Sequence, residues 1–345
     1  MKAIILAGGR GTRLSPVTHG AVPKPMAELL GAPMLEHIVA LLRRHGFADI
    51  CCTTAYRGEQ IERYFGDGSG FGVHMDYRRE SRALGTAGAV KNCEDFIAGE
   101  SVLIISGDAA CDFDLRRLWD EHRRVRPAVT MALYPHEAPL PYGLAVTDGE
   151  GWVRSFIEKP AWERVVTDLV NTGVYILSPE VLRFIPADTP FDFARDLFPR
   201  LTASGRGIRG VAMEGYWRDI GDPGSYYRAN LDAWEGRLRL PETEASGRDM
   251  PPVRPEAPAR YACRVYLAAP HRARLMRALT AGLMEAGADL SDGLTVRSVP
   301  GGVHIAPCAD RDALCIESDS PDTAQRFRAL AGELERRAEA GGGAV

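Results

Sequence analysis

Lys2-Ala3-Ile4-Ile5-Leu6 runs without a break into Ala7-Gly8-Gly9-Arg10-Gly11-Thr12-Arg13-Leu14-Ser15-Pro16. A short apolar run that ends in glycines reads as a buried strand opening into a loop. Glycines at that point let backbone N–H groups approach a phosphate with no Cβ in the way. The loop is not a Walker A motif, because no Gly-Lys-Ser/Thr follows at the required spacing. Nor is it a dinucleotide fingerprint, since Leu14 stands at the third glycine position. Taken alone the loop is a weak sign, since a turn with several glycines is more often only a turn.

Outward from that stretch the chain alternates strand and helix patterns. Residues 33–45 place Leu35, Ile38, Val39, Leu41 and Leu42 on a helical period, with Gly46 as the stop. Residues 49–54 read as a strand, 60–65 as a short helix, and 101–106 (SVLIIS) as a second strongly apolar strand ending at Gly107-Asp108. Residues 129–133 and 153–157 add further strands. Such alternation predicts an α/β fold: a Rossmann-like, mostly parallel sheet flanked by helices. Ligands on such sheets sit beyond the carboxyl ends of the strands, which makes the loops after residues 6 and 106 active-site walls.

The character changes near residue 240. Residues 241–260 (PETEASGRDMPPVRPEAPAR) hold five prolines and little apolar content, a linker signature. Beyond it strands are expected at 264–268, 294–299, 303–306 and 313–317, with helices at 272–286 and from Ser320-Pro321 to about residue 340. The expected organisation is therefore a domain over 1–240, a linker over 241–260 and a small α+β domain over 261–340.

Composition narrows the function. Of 345 residues, 45% are hydrophobic and 26% charged, an ordinary globular balance, and the formal net charge of −4 argues against a broad nucleic-acid surface. No long apolar stretch or signal-type N-terminus is present, so a cytoplasmic protein with no membrane partner is expected. Seven cysteines show no C-x-x-C spacing and the eight histidines no H-E-x-x-H, which speaks against a disulfide framework or a zinc site. Only four of the 42 basic residues are lysines: Lys2, Lys24, Lys91 and Lys159. Lysine kept against that bias suggests positions needing a compact ammonium. Lys24 is the strongest of them, because Pro23 and Pro25 stiffen the chain on either side.

The motifs LAGGRGTRLSP at 6–16, PKPM at 23–26, GAPMLEHI at 31–38, LGTAGAV at 84–90 and GD at 107–108 belong together. They continue with YG at 142–143, FIEKP at 156–160, NTGVYIL at 171–177 and GYWRDIGDPGSY at 215–226. In order and spacing this set resembles the sugar-1-phosphate nucleotidyltransferases, in particular the mannose-1-phosphate guanylyltransferase branch, over residues 1 to about 235. The resemblance implies transfer of a nucleotidyl group, GMP from GTP by default, to a sugar-1-phosphate such as mannose-1-phosphate, with release of pyrophosphate. Gly8, Gly9 and Gly11, with Leu6, Ala7 and Thr12, would cradle the nucleotide. Arg13 would grip its β- and γ-phosphates, and Gly85 and Thr86 would line the base pocket. Lys24 would stabilise charge on the α-phosphate, and Asp108 and Asp219 would hold Mg²⁺. Gly143, Glu158, Asn171 and Thr172 would contact the sugar, and Lys159 its phosphate.

Each residue also has a plainer reading. Asp219 could be a structural ion pair, Glu158-Lys159 a surface pair and Asn171-Thr172 a turn, while Asp112 and Asp114 are expected to cap the next helix. The segment 261–340 resembles the last domain of phosphomannomutases. Its stretch Ala306-Pro307-Cys308-Ala309-Asp310-Arg311-Asp312 would repel a phosphate, so a docking, homo-oligomerising or regulatory role is expected there instead. Other functional readings keep the chemistry on a heptose, deoxysugar or cyclitol phosphate, or make the chain a catalytically silent nucleotide-sugar sensor.

Overall fold

A computed structural model describes residues 1–136, 139–160, 165–205 and 207–241. Beyond them it describes the strands Tyr261–Tyr266, Leu294–Val296, Val303–Pro307 and Ala313–Ser318. The Pro-rich linker after residue 241, the helices expected at 272–286 and 320–340, and residues 308–312 of the would-be phosphate loop lie outside the described residues. The chain forms two compact units, Met1–Tyr134 with Ala145–Phe156 and Asn171–Val253, and Pro135–Leu144 with Ile157–Val170 and Arg254–Val345.

In the first unit, strand β1 (Lys2–Leu6) is followed by helix α1 (Met34–Arg44), β2 (Asp49–Thr54), α2 (Gly58–Phe65), β3 (His74–Arg79), α3 (Gly85–Lys91) and β4 (Val102–Ser106). Next come β5 (Ala109–Cys111), α4 (Leu115–Val125) and β6 (Val129–Pro135). Along the chain follow β7 (Gly143–Thr147), β8 (Val153–Glu158) and β9 (Leu169–Leu177), of which residues 143–144, 157–158 and 169–170 belong to the second unit, then β10 (Ile208–Ala212), β11 (Trp217–Asp219) and α5 (Pro223–Trp234). In the sheet order β10-β6-β9-β4-β1-β2-β3, β4 is the middle strand and β1 lies beside it. β1 is parallel to both β2 and β4, β2 is parallel to β3, and β9 runs antiparallel to β4. The expected mostly parallel sheet is thus present.

The centre is apolar because it is covered on both faces. Ala3, Ile4 and Ile5 of β1 and Leu103, Ile104 and Ile105 of β4 are wholly buried, each large side chain worth roughly 1.5–3 kcal/mol over an exposed one. Helix α1 buries every residue from Met34 to Leu42 and ends as expected at Gly46, whose φ is +82°. Gly46 N–H donates to Arg43 O (2.9 Å) and Phe47 N–H to Leu42 O (2.9 Å), closing a Schellman motif beneath a fully buried Phe47. Strand β3 lacks an apolar signature. Its row of Asp76, Arg78 and Arg79 fits a sheet edge.

Because the chain leaves β1 for β2 on one side and returns in β4 on the other, the loops after β1 and β4 lie side by side. Leu6 pairs with Ser106, and Gly107 N–H donates to Leu6 O (2.9 Å). A Cβ on Gly107 would approach that oxygen to 2.9 Å, so the close approach requires glycine. In the second unit, Leu144 pairs with Val170. The strands β12 (Tyr261–Tyr266), β13 (Leu294–Val296), β14 (Val303–Pro307) and β15 (Ala313–Ser318) form an antiparallel sheet in the order β12-β15-β14-β13. No helix of the described residues is long and apolar enough to cross a membrane.

Candidate active site

The glycine loop is shaped by what lies under it. Gly11 has φ +58°, and a Cβ there would sit 2.5 Å from Lys24 Cβ, so the lysine stem needs the room that glycine leaves. A Cβ on Gly8 would sit 2.7 Å from Glu80 Oε1, whereas Gly9 faces open space. Leu14 anchors the loop by entering a cluster with Met34, Ile220 and Tyr226. Arg10, Gly11, Thr12, Ser15, Thr18 and Tyr56 border a cavity of about 380 Å³ beside the loop.

Pro23 holds the chain extended at ψ 152° and Pro25 allows a single turn, Lys24–Met26, closed by Met26 N–H to Pro23 O (2.8 Å). This turn delivers a lysine only 8% exposed. Its Nζ lies 2.7 Å from Asp108 Oδ2 and 3.7 Å from Asp219 Oδ1, and the two carboxylates are 38% and 32% exposed. Asp108 leaves the carboxyl end of β4 and Asp219 closes β11. The β5–β11 ribbon fixes them together, with Asp219 opposite Ala109 and Ile220 N–H donating to Asp108 O (3.1 Å). Burial and then the neighbouring Asp108 push the Asp219 carboxyl above its ordinary range, while Lys24 and Arg13 pull it back. Arg13 reaches the same place: its Nη2 would lie 3.2 Å from a Cβ on Gly221, alongside Asp219 Oδ2 at 3.1 Å.

Two carboxylates face the Lys24 ammonium here, with the Arg13 guanidinium beside Asp219, and both carboxylates are about a third exposed. Such hard oxygen donors suit a small divalent cation. The residues fit Mg²⁺, and Asp108 and Asp219 would hold it. Among the described residues no group of three or more His, Cys, Asp or Glu side chains could hold a metal.

The other expected positions divide. Leu6 and Ala7 sit at the β1 exit and Thr12 at the cavity wall. Gly85 has φ +71° and lies so close to Phe191 that a Cβ would be 2.6 Å from its carbonyl oxygen. The Thr86 hydroxyl donates to Asp192 Oδ2 (2.8 Å) and accepts from Phe193 N–H (3.0 Å), fastening α3 to the distant segment at Asp192-Phe193. Asn171 Oδ1 accepts from Gly173 N–H (3.1 Å) and Tyr175 Oη–H (2.7 Å). Thr172 departs from a sugar-contacting residue. It is 2% exposed, donates its hydroxyl to Ala132 O (2.8 Å) and accepts the Trp217 indole N–H on its carbonyl (3.1 Å), so its side chain joins β9 to β6. Gly143, Glu158 and Lys159 belong to the second unit. There Gly143 opens β7, Glu158 and Lys159 are exposed, and Lys159 N–H donates to Tyr142 O (3.2 Å). Lys159 has φ +41°, a strained backbone for a side-chain-bearing residue and a frequent mark of functional positions.

Asp112 also departs from its expected helix-capping role. Asp114 alone caps α4, accepting from Arg116 N–H (3.0 Å) and Arg117 N–H (3.1 Å), while Asp112 turns to Tyr216 and Arg239. Glu80 was missed by the motif reading. It follows β3, accepts Leu84 N–H on Oε2 (3.0 Å), and its carboxyl is raised by burial. The available signal was its place at a strand's carboxyl end, concealed by the charged Tyr-Arg-Arg-Glu context.

The chain matches the Nucleotidyl transferase family over residues 2–236. A UTP–glucose-1-phosphate uridylyltransferase of Synechocystis sp. is 39% identical over 242 residues, covering 66% of this chain and 62% of the relative. A mannose-1-phosphate guanylyltransferase of Mycobacterium tuberculosis is 35% identical over 235 residues, covering 68% of this chain and 65% of the relative. This chain therefore spans less than two thirds of the length of these relatives. The crystal structure of HddC from Yersinia pseudotuberculosis complexed with GMP-PN superposes with a TM-score of 0.59 at 29% identity, over 67% of this chain and 99% of that one. The chain belongs to the Nucleotidyl transferase family.

Proposed function

We propose that this chain transfers a nucleotidyl group from a nucleoside triphosphate, GTP by preference, to a sugar-1-phosphate, mannose-1-phosphate by default, with release of pyrophosphate. The observation that carries the reading is the meeting of Lys24, Asp108 and Asp219 under the glycine loop, with Arg13 beside them. The obstacle in such a reaction is bringing two polyanions together. Two unit charges 4 Å apart repel by roughly 4 kcal/mol at an effective dielectric near 20. Lys24 supplies a point charge that can follow the transferring α-phosphate, while the Arg13 fork suits a terminal phosphate held bidentately. By the resemblance alone, Lys159 is proposed for the sugar phosphate, and Gly143, Glu158 and Asn171 for the sugar. When bound by Asp108 and Asp219, Mg²⁺ supplies further positive charge against the phosphates.

No general base is required, because a phosphate monoester with a second pKa of about 6 is already largely dianionic near neutrality. Alignment for in-line attack then supplies much of the acceleration. Glu80 favours guanine. An ionised carboxylate only accepts hydrogen bonds, and guanine offers it two adjacent donors, N1–H and N2–H, whereas uracil and thymine offer one N–H between two carbonyls. The uridylyltransferase relative at 39% identity favours a second reading, UTP with glucose-1-phosphate. The segment after residue 260 is proposed as a non-catalytic, phosphomannomutase-like domain, and the substrates imply a cytoplasmic site of action.

The test is the product mass after incubation with Mg²⁺, each nucleoside triphosphate in turn, and mannose- or glucose-1-phosphate. GDP-mannose is the expected product. UDP-glucose as the main product would replace this reading by the second. Absence of any nucleotide sugar, extended to heptose, deoxysugar and cyclitol phosphates, would leave a silent sensor.

A further inference from the structure

Asp112 and Asp114 stand two residues apart and hold different things. Asp114 faces forward onto α4. Asp112 faces across to the strand that carries Asp219. Its N–H donates to Tyr216 O (3.2 Å), its Oδ1 accepts Tyr216 N–H (2.6 Å) and its Oδ2 accepts Arg239 N–H (3.1 Å). Gly215, with φ +104°, makes the turn against this carboxylate, and a Cβ there would collide with Asp112 Oδ1. From Tyr216 the pairing continues as Trp217 with Cys111, Arg218 with Ala110 and Asp219 with Ala109, and then Ile220 N–H meets Asp108 O. Asp112 thus closes one end of a short ribbon whose other end sets Asp219 against Asp108.

The ribbon's own ladder is short, so the Asp112 contacts are a large part of what holds it, beside the Trp217 indole N–H to Thr172 O (3.1 Å) and the Tyr216 hydroxyl to Asp232 Oδ2 (2.7 Å). Their loss loosens the register of Asp219. We propose that Asp112 is a positioning residue: by locking Tyr216 it fixes the separation of the Asp108 and Asp219 carboxylates, and hence their joint affinity for a divalent cation. This rests on the reading of those two residues as a metal-holding pair.

Mn²⁺ serves as the probe. Free Mn²⁺ is followed by electron paramagnetic resonance as it is titrated into the full chain, with circular dichroism checking the fold of each variant. Asp112→Ala is expected to bind Mn²⁺ about tenfold more weakly than the unaltered chain, the usual scale for loss of a residue that orients a ligand. Asp112→Asn keeps an acceptor for Tyr216 N–H and is expected to recover most of the affinity. Asp114→Ala loses its helix cap and is expected to bind as the unaltered chain does. Should Asp112→Ala fail to fold, Gly215→Ala presses on the same carboxylate from the other side and is expected to weaken binding in the same direction. Unchanged affinity in the folded Asp112 and Gly215 variants, or equal weakening in Asp114→Ala, overturns the inference and leaves the metal pair standing. An unaltered chain that binds no Mn²⁺ removes the metal pair and the inference with it.

Discussion

Two polar clusters in the first unit look alike on paper and are built for opposite ends. Under β6 and β9, His122 is 3% exposed, with Nδ1 2.8 Å from Thr130 Oγ1 and Nε2 3.3 Å from Ser178 Oγ. Ser178 donates its hydroxyl proton to Pro127 O at 2.7 Å. The set imitates a Ser-His pair, yet it is sealed, neutral and satisfied at every ring nitrogen. At the carboxyl ends of β1 and β4, by contrast, Lys24 faces two carboxylates that are each about a third exposed, and the Asp219 carboxyl is held above its usual range. A closed polar network specifies packing, whereas an open one of exposed charges is a place for a ligand.

The sharpest way to break this contrast is Lys24→Met. If the cluster is chemical, nucleotide-sugar formation should fall by about 10²–10³, the scale for removing one preorganised charge or donor, with the fold intact by circular dichroism. Loss of thermal stability with activity retained would make Lys24 a structural ion pair like any other. Glu80→Gln should act next most strongly. Replacing an acceptor-only group beside Gly8 is expected to lower kcat/KM for GTP by about 10–100-fold, the worth of a charged hydrogen bond, and to raise the relative use of UTP. Equal losses for both nucleotides would place Glu80 in the loop's architecture alone.

The sealed cluster makes a prediction of stability, not of turnover. Burial depresses the His122 pKa from 6.5 to about 4, so the folded protein binds fewer protons than the unfolded chain between those values. Its contribution is complete above pH 6.5 and is lost as pH falls towards 4, amounting to about 3 kcal/mol across that window. Urea unfolding from pH 7 to pH 4 should show this slope, flattened in His122→Gln. His37 and His45, also lowered chiefly by burial, add to the acid side in the same direction. An unchanged slope in His122→Gln would mean that this imidazole is protonated in the folded state.

Much of the frame was legible because local pattern and global fold agree. Helix 33–45 appears as Met34–Arg44 with its glycine stop, and strands 49–54 and 101–106 appear as Asp49–Thr54 and Val102–Ser106. β3 escaped because an edge strand carries charges that a buried one cannot. With β3 went Glu80, whose place is defined by that strand's end. Asp112 was misread because an acid just before a helix has the same sequence signature whether it caps that helix or reaches elsewhere. Thr172 was misread because a strand buries alternate residues, and its motif cannot say which side faces the sheet.

By itself the sequence determined the apolar strands, the glycine loop, the proline-flanked Lys24 and the ordered motif set, since each depends on near neighbours and on burial of apolar surface. Only the tertiary structure decided what those pieces meet. Lys24 and Asp108 stand 84 residues apart in the chain and 2.7 Å apart in space. That contact exists because β1 and β4 lie side by side in parallel, and because the β5–β11 ribbon brings Asp219 to the same ammonium. Charge pairing at such a point is set by sheet order and ribbon register, quantities no short stretch of sequence contains.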